Sequence, residues 1–213
     1  MEQKSKFPSE IIDLPSKGLL YPKESPLSSG TIEMKYMTAK EEDILTNQNY
    51  IQRGVVIDKL IQALIVDKTI DYSSLISGDK NALLIASRIL GYGEIYEFKY
   101  NGENHKIDLS KLDNKLFDED LFKEGKNEFS FTLPATKKDL TFKILTHKDD
   151  MDIEKEIKGL QKINKESNPE MTTRLKYIII SVDGVTDRGG VRKFVDEEFL
   201  ARDARAFRAY YAS

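Results

Sequence analysis

The chain has 213 residues, enough for one large domain or two small ones around a substantial hydrophobic core. Its 33 Lys and Arg residues face 36 Asp and Glu residues, and the net charge of -3 argues against a general nucleic-acid binder, which normally carries a basic excess. No apolar run approaches the roughly 20 residues that span a bilayer, so no membrane span is expected. The absence of cysteine excludes thiol catalysis, disulfides and cysteine zinc sites, and only His105 and His147 offer an imidazole.

Residues 1–30 are predicted to form an extended N-terminal arm. Four of the six prolines lie here, and each fixes φ and favours an extended residue before it. The segment lacks the basic region, apolar stretch and small-residue cleavage site of a signal peptide, so we expect the protein to stay in a reducing cytoplasm.

Residues 31–112 are expected to form a first lobe. Alternating apolar residues over 32–36 predict a strand, and Thr38 with Glu41 forms a capping box that predicts the start of a helix. Apolar residues over 57–65 have the spacing of one helix face. A further helix is predicted from Asp79, as its N-terminal cap, to the glycines at 91 and 93. Asn101-Gly102 predicts a tight hairpin between strands over 94–100 and 105–109.

Residues 113–213 are expected to form a second lobe, whose first part, 113–126, is a charged connecting segment with scattered Leu116, Phe117, Leu121 and Phe122. Alternation over 129–133 and 140–144 predicts a second hairpin. Helices are predicted over 153–160, from Pro169 through Val182, and over 199–211. The sequence thus predicts an α+β fold, helix-dominated, with two antiparallel β-hairpins and an extended N-terminal arm.

Acidic clusters are the first candidates for chemistry. His147 with Asp149, Asp150 and Asp152 offers a hypothetical metal site, and hence a metal-dependent hydrolase. Acidic residues at a helix start more often complement its dipole, and the run lacks the glycine and final glutamate of a calcium loop, so capping is the preferred interpretation. The run from Asp118 to Asp120 is interpreted as a solvated face.

The glycine pair at 189–190 is the only glycine-rich feature that resembles a phosphate site. Asp187-Arg188-Gly189-Gly190 lacks the spacing of a dinucleotide or P-loop motif, so we interpret it as a tight turn. No catalytic residue, cofactor or metal is predicted.

Two segments are candidates for binding a protein partner. In the arm, apolar residues are bounded by prolines and cannot bury one another, so they dock either on the chain's own core or on a partner. In the last helix, arginines recur every three residues beside aromatic residues, which favours either a solvated basic face or an interface. The candidate residues are Leu14, Pro15, Gly18, Leu19, Leu20, Tyr21 and Pro22 in the arm, and Phe199, Arg202, Arg205, Phe207, Arg208 and Tyr211 in the helix.

A succession of short motifs resembles the T-even (T4-like) bacteriophage baseplate hub family. The motifs are LPSKGLLYP at 14–22, KEEDIL at 40–45, DKNALLIASRILGYG at 79–93, IDL at 107–109 and FLARDARAFRAYY at 199–211. The resemblance covers nearly the whole chain in order.

This resemblance implies a virion-assembly protein without enzymatic activity that helps to build the central hub of the tail baseplate through contacts with other phage baseplate or hub proteins. It leaves open a transient, chaperone-like or scaffold role in the host cytoplasm, a permanent place in the virion tail, and the oligomeric state. Family members often carry a Cys-x-x-Cys pair, suggestive of zinc, where this chain has residues 100–105. Asn101-Gly102 closes a hairpin without metal, so zinc is not expected.

Overall fold

A computed structural model describes residues 8–114, 117, 119, 122, 125–165 and 168–212. The chain divides into two compact units, 1–126 and 127–213, so the division falls later than the expected start of a second lobe at residue 113. Gly125 donates its N–H to the Leu19 carbonyl at 2.7 Å, which ties the end of the 113–126 segment to the first unit. The residues Leu116, Leu121, Asp118 and Asp120, singled out in the sequence, lie outside the described residues.

The N-terminal segment of the first unit is folded against its own unit. Strand β1 (Ser9–Asp13) pairs antiparallel with β2 (Thr31–Lys35), and turns and a short 3-10 turn (Pro26–Ser29) connect them. In its described part the segment forms no α-helix, as expected of an extended arm, and the pairing of β1 with β2 satisfies backbone groups at its two ends. The strand predicted over 32–36 is confirmed as β2.

Four helices follow in the first unit: α1 (Ala39–Leu45), α2 (Gln48–Gln52), α3 (Val56–Leu64) and α4 (Ser77–Tyr92). The capping box of Thr38 and Glu41 is confirmed at the start of α1. The prediction of Asp79 as the N-terminal cap is wrong, because α4 begins at Ser77 and Asp79 lies in its first turn. The end of α4 is as predicted, with Gly93 at a φ of 82°.

A hairpin follows α4 directly. Its strands are β3 (Ile95–Tyr100) and β4 (Glu103–Asp108), which pair with each other in an unbroken register. Asn101 and Gly102 have φ values of 50° and 84°, the left-handed conformation that a two-residue turn requires at both positions. The first predicted hairpin is thus confirmed.

The second unit is built on a three-stranded antiparallel sheet. Strands β5 (Phe129–Thr132) and β6 (Asp139–Phe142) form the second predicted hairpin, and β7 (Ile179–Val182) pairs with the other side of β6. Helices α5 (His147–Ile163) and α6 (Glu170–Ile178) lie between β6 and β7 in the chain. The helix predicted through Val182 instead ends at Ile178, because the β-branched residues that follow form a buried strand.

The chain ends with α7 (Arg188–Lys193), a π-helical segment (Phe194–Glu198) and α8 (Ala201–Ala212). The tight turn predicted at 187–190 is wrong, because Asp187 accepts a hydrogen bond from the Gly190 N–H at 2.7 Å and so caps α7. The turn lies earlier, at Asp183-Gly184, where both residues have positive φ. Terminal helix α8 is confirmed.

Each unit has its own apolar core. The first is formed mainly by Leu14, Leu20, Leu27, Ile32, Met34, Leu60, Ile61, Leu64, Leu75 and Leu83. The second contains Leu133, Leu140, Phe142, Ile153, Leu175, Ile179, Val191, Phe194 and Phe207. Of the helices in the described ranges, none is long and apolar enough to cross a membrane.

The capping box of α1 makes stability depend on pH. Burial opposes ionisation of Glu41, but hydrogen bonds from Lys35 and Thr38 outweigh it and lower the pKa of Glu41 from 4.5 to about 2. Because the folded-state pKa is lowered, the stabilisation by ionised Glu41 is complete above its ordinary value and is lost as the pH falls through about 2.

We therefore expect Glu41→Gln to lower the free energy of unfolding at neutral pH by about 2 kcal/mol. The variant should also flatten the decline of stability below the ordinary pKa of glutamate, as measured by urea unfolding at a series of acidic pH values. Glu24→Gln, at an exposed position of the same unit, is the control and should change neither quantity. An unchanged pH profile in Glu41→Gln would contradict this account.

Candidate partner-binding surfaces

The N-terminal motif at 14–22 is mostly buried within the first unit. The side chains of Leu14, Leu20 and Tyr21 are 2%, 4% and 4% exposed. They are therefore not free to dock on a partner, and of the two alternatives left by the sequence the structure favours docking on the chain's own core. Among the other candidates of the motif, Gly18 is buried, Pro15 and Leu19 are half-buried, and Pro22 is exposed.

Gly18 is required by a close approach of two chain segments. Its φ is 77°, and a Cβ there would lie 2.5 Å from the Ser28 carbonyl oxygen and 2.7 Å from the Gly30 nitrogen. Both neighbours are backbone atoms that cannot rotate away, so this position serves the fold.

The buried carboxylate of Asp79 explains the polar residues of the same motif. One carboxylate oxygen accepts the Ser16 N–H at 2.9 Å, and the other accepts the hydroxyls of Ser16 and Tyr21, each at 2.6 Å. The Tyr21 oxygen in turn accepts the Ile76 N–H at 3.1 Å, at the start of α4. Burial and the adjacent Asp79 charge raise the pKa of Tyr21, so its hydroxyl remains a donor. This network ties the N-terminal segment to α4.

We expect Asp79→Ala to destabilise the first unit by about 3 kcal/mol or more, because it leaves buried donors of Ser16 and Tyr21 without an acceptor. Tyr21→Phe removes one donor to the carboxylate and the acceptor of the Ile76 N–H, and it should cost less, about 1–2 kcal/mol. Urea unfolding measures both effects. Asp43→Ala, at an exposed position of α1, is the control and should stay close to the wild type. Equal stability of Asp79→Ala and Asp43→Ala would refute a structural role of the network.

Helix α8 has a buried side that anchors it in the second unit. Phe207 is fully buried, with its ring centroid 5.2 Å from Phe142 and 5.7 Å from Phe131. Phe199 and Tyr211 are half-buried and pack against the same core. The prediction of these three aromatic residues as partner contacts is thus wrong for Phe207, and the other two contribute mainly to the fold of the unit.

A second buried carboxylate fixes the start of α8. Asp203 accepts hydrogen bonds from the Ala135 N–H at 2.7 Å, the Thr136 N–H at 3.0 Å and the Thr136 hydroxyl at 2.8 Å. Burial opposes its ionisation, but these hydrogen bonds prevail and lower the pKa of Asp203. The helix is therefore held rigidly against the turn between β5 and β6.

The opposite side of α8 carries the arginines. Arg202, Arg205 and Arg208 are all exposed, and their spacing of three residues places them along one side of the helix. Among the described residues none of the three forms an ion pair within 4.0 Å; the Nε of Arg208 donates to the Ala204 carbonyl at 3.3 Å. We call these three residues the arginine row.

The acidic cluster at 147–152 has structural contacts. Asp149 completes a capping box with Thr146 and accepts hydrogen bonds from Lys143 at 2.8 Å. Burial opposes its ionisation, but these hydrogen bonds lower the pKa of Asp149. Asp150 pairs with Arg174 at 3.0 Å, and His147 is buried. Within the ranges given above, no group of three or more such side chains is placed to hold a metal ion.

The β3–β4 hairpin is an exposed surface that sequence reasoning missed. Tyr96, Phe98 and Tyr100 lie on one face with His105, and ring centroids are 5.7 Å apart for Tyr96 and Phe98 and 5.5 Å apart for Phe98 and His105. Tyr100 is 63% exposed. The sequence pattern shows that these rings share a face, but it does not show how exposed they are: Tyr96 and Phe98 are 43% and 39% exposed, and Arg88 lies over the Tyr96 ring, 5.5 Å from its centroid.

Comparisons with known proteins do not assign this architecture to a family. No family model matches the chain, and neither curated proteins nor solved structures give a match. The class of protein is therefore described by its fold alone: an α+β chain of two compact units.

Proposed function

We propose that this protein assists assembly of the baseplate hub of a contractile phage tail, in the host cytoplasm, through protein–protein contacts and not through catalysis. The observation that carries the proposal is the arginine row on α8. The row is exposed, it has no ion pair among the described residues, and it lies on a helix held in place by Asp203 and Phe207.

An interface role follows from the physical chemistry of such a row. Arginine donates several hydrogen bonds in a fixed planar arrangement and is enriched at protein–protein contacts. Because α8 is already anchored, little further ordering of its backbone is required on binding, which lowers the entropic cost of association. We expect the partner to present carboxylates to the row. The similarity of the sequence motifs to T-even hub proteins supplies the biological context.

The test reverses the charge of the row. We expect Arg205→Glu combined with Arg208→Glu to weaken capture of hub proteins from an infected-cell lysate by about tenfold or more. Capture by the wild type should decline as salt is added, because exposed charges are screened. Partners are identified by mass spectrometry.

The control for this experiment reverses two lysines on α5 of the same unit. Lys155→Glu combined with Lys162→Glu gives the same change in net charge at exposed positions. It should leave capture unchanged. Equal capture by the arginine variant and the lysine variant would remove the row from the interface, and so would capture that is insensitive to salt.

A permanent place in the baseplate is the alternative to a transient assembly role. Purified virions distinguish the two. We expect the protein to be absent from virions although hub formation requires it; a stoichiometric amount in virions would favour the structural component.

A further inference from the structure

Among the described residues, no strand covers the outer edges of the β3–β4 hairpin, although Arg88 donates to the Ile95 carbonyl at 3.5 Å at the start of β3. Its strands form a two-stranded sheet, and no third strand from the described ranges pairs with them. Every residue of β3 is exposed, and the strand contains neither a bulge nor a proline that would block pairing. Since an isolated two-stranded hairpin is marginally stable in water, an added strand would stabilise it.

The register determines which backbone groups lie on the edge of β3. A two-residue turn at 101–102 makes Tyr100 and Glu103 a hydrogen-bonded pair. Alternation along the strand then directs the N–H and C=O groups of Phe98 toward β4, and those of Glu97 and Lys99 away from it. The Leu109 N–H, which donates to the Glu94 carbonyl at 2.8 Å, continues the same alternation. Glu97 and Lys99 therefore present free donors and acceptors at the edge.

We propose that the edge of β3 pairs antiparallel with the same edge of a second copy of this chain, around a twofold axis at Phe98. In this register Glu97 lies opposite Lys99 of the second copy, and Lys99 lies opposite Glu97. On the other face Tyr96 lies opposite Tyr100, and Phe98 lies opposite its own equivalent. Opposite charges thus face each other on one side of the paired strands, and aromatic rings face each other on the other side.

Charge selects this register over its neighbours. An axis at Glu97 would set two glutamates opposite each other, and an axis at Lys99 would set two lysines opposite each other; like charges in this position are destabilising. The edge of β4 is less suitable for such pairing. A twofold axis at Lys106 would place two lysines opposite each other, and an axis at His105 would place Glu103 opposite Ile107. The axis at Phe98 gives two attractive pairs.

The size of the interface between the two β3 strands determines the expected affinity. Pairing two six-residue strands buries less surface than the roughly 1,600 Å² of a standard stable interface, so we expect a dimer with a dissociation constant in the micromolar range. This inference stands on the hairpin alone and does not depend on the proposed function.

Analytical ultracentrifugation of the full chain over the micromolar range tests the pairing. The wild type should pass from monomer to dimer as its concentration rises. Glu97→Lys and Lys99→Glu should each raise the dissociation constant about tenfold or more, because each sets like charges opposite one another twice. The double variant, with the two charges exchanged, should recover the dimer in part, because the lysine placed at position 97 also faces Lys106 within the hairpin, where Glu97 pairs with Lys106 at 3.6 Å. Asp43→Lys, at an exposed position of α1 outside the hairpin, makes the same change in net charge as Glu97→Lys and should dimerise normally.

The cysteine-free chain allows an independent test of the register. Phe98 and its equivalent form a non-hydrogen-bonded pair, with Cα atoms about 4.5 Å apart, which is within the range that a disulfide spans. Phe98→Cys should therefore give a disulfide-linked dimer under mild oxidation. Asn104→Cys should stay monomeric, because its equivalent lies three strand spacings away, about 14 Å.

Four outcomes would overturn the proposal. The first is a wild type that remains monomeric at every concentration. The second is a dimer that Lys99→Glu does not weaken. The third is an exchange variant that stays monomeric while circular dichroism shows it folded, since its charges are again complementary. A cross-link at position 104 in place of position 98 would likewise reject this register.

Discussion

Both units depend on a buried carboxylate that is satisfied by backbone N–H groups and hydroxyls. Asp79 binds Ser16 and Tyr21 in the first unit, and Asp203 binds the turn at Ala135 and Thr136 in the second. A buried charge is tolerated only when such donors surround it, so each carboxylate fixes the position of a segment distant in the chain. Together with Phe207, the Asp203 contact holds in place α8, the helix that carries the arginine row.

Local rules predicted the elements whose sequence signals are strong. The capping box at Thr38 and the Asn101-Gly102 turn were found because their chemistry is contained within a few residues. The prediction that the helix continues through Val182 was wrong. A continuous apolar run shows no periodicity, so it does not distinguish a buried strand from a buried helix. The prediction of a turn at Gly189 and Gly190 was wrong, because the two glycines lie in the first turn of α7 and Asp187 caps that helix.

Burial was harder to predict than secondary structure, and candidate sites depend on burial. Leu20 and Tyr21 looked available for a partner because their local segment cannot enclose them, yet both are buried in the first unit, and the Tyr21 hydroxyl donates to Asp79 of α4. The reverse holds for Phe98, whose alternating pattern is typical of a covered strand face although its side chain is 39% exposed. The arginines of α8, predicted to form either a solvated basic face or an interface, are exposed, because a helix with one aromatic side leaves its charged side to solvent.

The bond between Ser16 and Asp79 joins residues separated by 63 positions. During synthesis on the ribosome the amino-terminal segment is made long before α4, so its serine and tyrosine have no acceptor while the intervening chain emerges. The hydrogen bonds from Ser16 and Tyr21 to Asp79 can therefore form only after α4 has left the exit tunnel.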